Sequence, residues 1–167
     1  YVRDKVLNRS WKNVDIAEKI KMIKSYRINT WVNFMLAAPE SSIEDDLDAI
    51  RLSKKAGITY SAYSTTVPMN NTQLYYYCLE KGLIDSNYVG SMMNCTERST
   101  LNCFSEKEKN IRHNIFLLGS IIPHLPTPFY QLAMKMIKAV PPNRIFRKIH
   151  DWYYLQSINN RIFKINK

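Results

Sequence analysis

The amino-acid sequence predicts an α/β fold organised on one βαβα unit between Trp31 and Ile84. Three observations carry this. The run Trp31–Leu36 is short and apolar with one polar break at Asn33, the pattern of a strand buried on both faces. Ser42 stands three residues before Asp45 in a capping box, ahead of Ile43, Leu47 and Ile50, with Leu52 and Ala56 beside them, and Gly57 closes that helix. Tyr60–Thr66, rich in Tyr and Thr, is a second strand, and after Pro68 the residue Thr72 caps another helix. Two strands joined through a helix pair in parallel, with a right-handed crossover.

The flanking elements follow in order. Tyr1–Trp11 is a basic lead-in, and Asn13 starts a helix reaching about Ser25 with Ile16, Ile20 and Ile23 on one face. Asp85–Asn102 is polar, holds Gly90 among Asn, Ser and Thr, and reads as a loop. Ser105 and Glu108 form a second capping box for a helix to about Ile122 through Ile111, Ile115 and Leu118. Pro123, Pro126 and Pro128 break the chain. A short helix over Phe129–Val140 is expected to bury Leu132, Ala133, Met136 and Ile137. Pro141 and Pro142 stop it, and Arg144 opens the last helix.

At 167 residues the chain is one domain's worth and long enough to bury a sizeable core. No apolar run approaches the ~20 residues that span a bilayer, and no secretory leader is present, which points to a cytoplasmic protein. The chain opens at Tyr1 without an initiator Met and reads as a piece of a longer protein. Its cysteines, Cys78, Cys95 and Cys103, are odd in number, which argues against a disulfide framework and for a reducing compartment. Cys78, beside Leu74 and Leu79, is expected to be a small buried hydrophobe. Cys95 and Cys103 lie in the polar linker, and His113, His124 and His150 are scattered, so no metal site is expected within the chain. The carboxylates Glu44, Asp45, Asp46 and Asp48 fall at a helix start, where negative charge complements the macrodipole, and Tyr75, Tyr76 and Tyr77 go round a helix as packing and surface residues.

The order of short motifs resembles the C-terminal half of radical S-adenosylmethionine (SAM) enzymes, of the cobalamin-binding branch. AAPESS (Ala37 to Ser42) stands where that family has a turn like G-L-P-G-E-T, and PMNNTQLY (Pro68 to Tyr75) where it has P-x-P-G-T-E-L-Y. The closing KGLI (Lys81 to Ile84) is intact, and VLNRS (Val6 to Ser10) is similar to the segment after the fourth barrel strand. FSEKEKNI and VPPNRIF resemble the family's tail in spacing. The resemblance implies the last two strands of a partial (β/α) TIM-like barrel over residues 1–88, a linker over 89–104 and a helical extension over 105–167. It also departs from the pattern: Arg27, Ala37 and Glu40 stand where the family carries glycines, the pair Asn70-Asn71 replaces a P-G pair, and Ser41 replaces a glutamate.

Barrel active sites lie at the C-terminal ends of the strands. The resemblance therefore implies that Phe34, Met35, Leu36, Ala37, Thr66, Val67 and Pro68 line the adenosine of SAM, apolar side chains packing on adenine and backbone groups bonding its edge. The alternative is an ordinary strand-to-helix turn stiffened by Pro39 and capped by Ser42. The 4Fe–4S cluster and cobalamin are implied for an N-terminal part of the same enzyme, which would act on a small-molecule or lipid-like substrate by methyl transfer or rearrangement. The present chain carries no cluster loop and no catalytic residue of its own.

The net charge of +10 gathers towards the end, where Arg144, Arg147, Lys148, Arg161, Lys164 and Lys167 face one acid, Asp151. Ile145, Phe146, Ile149, Trp152, Tyr153, Ile158, Ile162 and Phe163 are interleaved with them. Such a helix suits an anionic membrane surface at the inner face, or less readily nucleic acid. Docking of its apolar side on the protein, with the basic side merely solvated, explains it equally well. A non-catalytic α/β binding module attached by this tail is the rival to the enzyme reading.

Overall fold

The structure, a computed structural model, describes residues 15–162, without the side chain of Arg161. The lead-in, the VLNRS motif, Asn13, Phe163, Lys164 and Lys167 lie outside the described residues. Two parallel strands, β1 (Trp31–Leu36) and β2 (Tyr60–Thr65), pair in register from Trp31 opposite Tyr60 to Leu36 opposite Thr65. Around them lie α1 (Ile16–Ser25), α2 (Ile43–Ala56), α3 (Gln73–Glu80), α4 (Glu106–Leu118), α5 (Thr127–Ala139) and α6 (Arg144–Ser157). The chain is thus α/β, with a two-stranded parallel sheet.

The helix starts follow from local chemistry. Ser42 and Asp45, and again Ser105 and Glu108, form complete capping boxes, and Thr72 caps α3 by accepting the Tyr75 amide. Gly57 ends α2 at φ 66°, a left-handed conformation that glycine adopts without steric cost. The first helix begins at Ile16, where Asp15 accepts the amides of Ala17 and Glu18. The expected loop over 85–102 contains a 3-10 helix, Met92–Thr96. α4 stops at Leu118, earlier than Ile122, and a separate 3-10 turn, Ile122–His124, leads into α5. Pro128 falls in the first turn of α5, where its missing N–H is harmless, so the helix begins at Thr127.

The expectation that β1 is buried on both faces is overturned. Its residues alternate, with Trp31 42% and Met35 39% exposed. The reason is that helices cover one side only of a two-stranded sheet. On the covered side Val32, Phe34 and Leu36 meet α1, α2 and α4, and Phe34 stacks on Tyr63 at 5.5 Å. On the other side stand Trp31, Asn33 and Met35 with their register partners Tyr60, Ala62 and Ser64. Among the described residues the start of that side is the best shielded, where Tyr153 and Tyr154 of α6 pack 6.2 Å from Tyr60.

The main core joins Leu36, Leu47, Ile50 and Tyr63 to Ile115 of α4 and Ile137 of α5. α5 buries Ala133 and Ile137 as expected, but Leu132 is 64% exposed, because α5 meets α4 through a narrow stripe. A smaller cluster of Ala37, Cys78, Ile84, Leu101 and Phe104 closes the C-terminal end of the sheet, with Cys78 fully buried.

Arg27, at φ 59°, follows the last turn of α1 and donates its amide to Lys24. An L-residue there carries roughly 1–2 kcal/mol of steric strain. Arg27→Gly is expected to stabilise the fold by about 0.5–1 kcal/mol, the relief being partly offset by the freer unfolded chain. Arg27→Val is expected to destabilise it, and urea denaturation of the two variants measures both.

Candidate functional site

The turns that follow the two strands are the first place to look. The turn after β1 passes through Ala37 at φ 57° and Glu40 at φ 65°, and closes with the Ser41 amide donating to Ala38 at 3.0 Å. After β2, Thr66 turns back on β1: its amide and its hydroxyl both donate to the Leu36 carbonyl at 2.8 Å. Asn71 takes φ 65° just before α3. Gly90 lies against this second turn, where a Cβ would collide with the Pro68 carbonyl, and its amide donates to Asn70 Oδ1 at 2.8 Å.

Beneath the first turn is a buried ion pair. Arg112 of α4 donates from Nε to Asp46 Oδ2 at 2.6 Å and from Nη2 to the Ser41 carbonyl at 2.8 Å, while its guanidinium lies 3.8 Å over the Phe104 ring. The Asp46 carboxylate also accepts the Ala37 amide, 3.3 Å from each oxygen. Arg112 is 2% and Asp46 4% exposed. Burial pushes the Asp46 carboxyl up, and the Arg112 guanidinium and the Ala37 amide oppose it. Of the four helix-start carboxylates, Asp46 therefore departs from the expectation of simple dipole complement: it holds the turn to α4. Its partner lies 66 residues away, which is why sequence spacing missed it.

The seven residues expected around adenosine fall into two groups. Leu36, Ala37, Thr66 and Pro68 are buried within the chain's own packing. Phe34 and Val67 are half-buried, and Met35 opens onto the uncovered side of the sheet. The structure brings all seven to one end of the sheet. Glu40 directs its carboxylate to the Tyr77 hydroxyl, 2.6 Å away, so its side chain is drawn towards α3.

A second constellation escaped sequence reasoning. His113 and His150, distant in sequence, both pack on Phe116, with ring centroids 5.7 and 4.9 Å from it. His113 Nε2 lies 3.3 Å from Nη2 of Arg147, which can only donate, so Nε2 accepts and the proton resides on Nδ1. Burial, with the Arg147 and Arg98 charges, pushes His113 down to about 4. His113 and Leu117 of α4 wall a cavity of about 470 Å³ with Pro142, Asn143, Arg144, Arg147 and Lys148 at the start of α6.

α6 combines features of both readings of the basic tail. It docks through one stripe, Phe146, Tyr153 and Ser157, with His150 donating to the Leu117 carbonyl at 3.2 Å. A second stripe stays in solvent: Ile145 is 68%, Trp152 62% and Leu155 58% exposed, with Ile149 at 39%.

Among the described residues no three His, Cys, Asp or Glu side chains converge as a metal group requires, and no helix is long and apolar enough to cross a membrane. Comparison with protein-family models, with curated proteins and with solved structures gives no match.

Two measurements check the site's energetics. Asp46→Leu or Arg112→Met alone leaves a charge buried without its partner and is expected to cost about 3–5 kcal/mol in denaturant unfolding, whereas the double replacement recovers much of that loss. His113 is neutral in the fold and protonates more readily when unfolded, so stability is present above about pH 6.5 and is lost on acidification towards about pH 4. Between about pH 7 and about pH 5 that loss is on the order of 2 kcal/mol. His113→Gln is expected to be less acid-sensitive than the native chain by that amount, read as the difference between their stability–pH curves.

Proposed function

We propose that this chain is the C-terminal part of a radical SAM barrel, supplying one edge of the SAM pocket to an enzyme whose cluster and cobalamin are held upstream. The observation that carries the reading is backbone conformation. Arg27, Ala37, Glu40 and Asn71 all take positive φ, and each stands where the resembling family has glycine. Those turns keep a glycine-type backbone although the side chains have changed. Asn tolerates this readily; Arg, Ala and Glu do so at a steric cost, which a functional turn explains better than chance.

The sheet supports the same reading. Among the described residues β1 pairs with β2 alone, so its outer edge and its uncovered side suit further parallel strands of a barrel. In that arrangement Trp31, Asn33 and Met35 face the lumen. Met35 and Val67 then meet the adenosine, and Leu36, Ala37, Thr66 and Pro68 form the packed wall behind them. The parent enzyme would be a SAM-cleaving methyltransferase or rearrangement catalyst in the cytoplasm, and this chain by itself is inactive.

The second reading, a binding module attached by its basic helix, is favoured by Trp152, which stands exposed beside the exposed Arg144 and Lys148.

Reconstitution of the chain alone with iron and sulfide is expected to give no visible cluster absorbance; a stoichiometric cluster overturns the assignment. Once joined to the upstream half, Ala37→Leu should overpack the wall at about 1–3 kcal/mol and lower SAM affinity about tenfold. Ser42→Ala should cost about 1 kcal/mol of stability through its lost cap and leave SAM affinity alone. Unchanged affinity in a folded Ala37→Leu protein refutes the pocket.

A further inference from the structure

We propose that the cavity at the start of α6 binds the phosphate of an anionic phospholipid headgroup, with the exposed apolar stripe of the same helix lying in the adjoining acyl boundary. This rests on the attachment reading above and gives it a site. Seven residues wall the cavity, and three of them, Arg144, Arg147 and Lys148, are cations; no carboxylate is among them. Glu97 reaches Arg147 only at 3.9 Å, and neither Arg144 nor Lys148 is part of a described ion pair. Three cations converging with a single carboxylate at 3.9 Å from one of them is an arrangement that an anion completes.

His113 lines the same cavity and holds Arg147 in place there through Nε2. It is 94% buried in the cavity wall, taking its 6% exposure, and its Nδ1 has no hydrogen-bond partner. Because Arg147 occupies Nε2, the unpartnered atom is a donor, and a buried donor lacking an acceptor is costly. The helix amides are not the donors here, since Asn143 Oδ1 already accepts from Ile145 and Phe146 at 3.0 Å each. Recognition therefore falls to the side chains.

The source of the phosphate is argued from the neighbouring stripe. Arg144 and Lys148 immediately precede Ile145 and Ile149, and Trp152 continues the apolar row one turn on. A basic row beside an exposed apolar row, on a helix anchored to its domain by Phe146 and Tyr153, has the polarity of a lipid boundary. Nucleic acid would instead call for cations spread along a phosphate track, and these three meet in one cavity of about 470 Å³.

The test uses the whole chain and flotation with phosphatidylcholine vesicles, with or without phosphatidic acid. Binding is expected only with phosphatidic acid. Arg144→Gln with Lys148→Gln should weaken it by about thirtyfold. Lys19→Gln with Lys21→Gln on α1 removes equal charge and should weaken it less than about threefold. Trp152→Ala should also weaken binding, through loss of the apolar contact. Absence of binding to phosphatidic acid vesicles defeats the attachment reading as a whole. Equal weakening by the two lysine and arginine pairs keeps a general attraction and overturns the cavity as its site. Thermal stabilisation by inorganic phosphate that depends on Arg144 and Lys148, without vesicle binding, overturns the lipid as the source.

Discussion

The buried pair of Asp46 and Arg112 fixes more of this structure than any other single interaction. Through it the end of β1, the first turn of α2 and the middle of α4 share one hydrogen-bonded centre: the Ala37 amide, the Asp46 carboxylate, the guanidinium and the Ser41 carbonyl. Desolvating two charges costs several kcal/mol each, which only good geometry and full hydrogen bonding repay. Nη1 of Arg112 remains without a hydrogen bond, its nearest carboxylate being Glu108 at 3.7 Å. The pair therefore acts less as a source of stability than as a constraint on register, because α4 can dock on α2 in only one way if both charges are to be met.

That constraint explains the asymmetry of the sheet. With α4 pinned beside α2, the helices lie on one side of β1 and β2, and the core grows from Leu36 and Tyr63 towards Ile115 and Ile137. Among the described residues the other side is met by the two tyrosines of α6 and approached by the Met92–Thr96 turn. Trp31 and Met35 are left exposed on a strand whose sequence is as apolar as a central strand's. Among the described residues β1 pairs with β2 alone, and it is beside this edge that the large apolar groups stand in solvent.

α6 shows the same economy on a smaller scale. One helix carries a docking stripe, a cationic row and an exposed apolar row, and these divide its circumference. A helix whose apolar residues all docked would present only solvated charge. Here Tyr153 and Phe146 dock on the protein, which leaves Ile145 and Trp152 in solvent.

The sequence by itself determined what depends on neighbours within a few residues. Both capping boxes, the Thr72 cap, the Gly57 stop and the two strands stand within a residue or so of where Ser, Thr, Asp and apolar periodicity put them, because capping is a contact between groups three residues apart. Cys78 is buried as its apolar neighbours implied. The left-handed turns at Arg27, Ala37 and Glu40 were not legible, since nothing in Arg, Ala or Glu itself announces positive φ, whereas Asn71 is of a type that tolerates it. Tertiary structure alone decided the rest. It exposed Trp31, Met35 and Leu132, because burial depends on which side a helix lands. It paired Asp46 with Arg112 and set His113 beside Arg147, because those encounters join positions 66 and 34 residues apart. Local chemistry chose the elements, and the docking of α4 and α6 chose which of their side chains face solvent and which face each other.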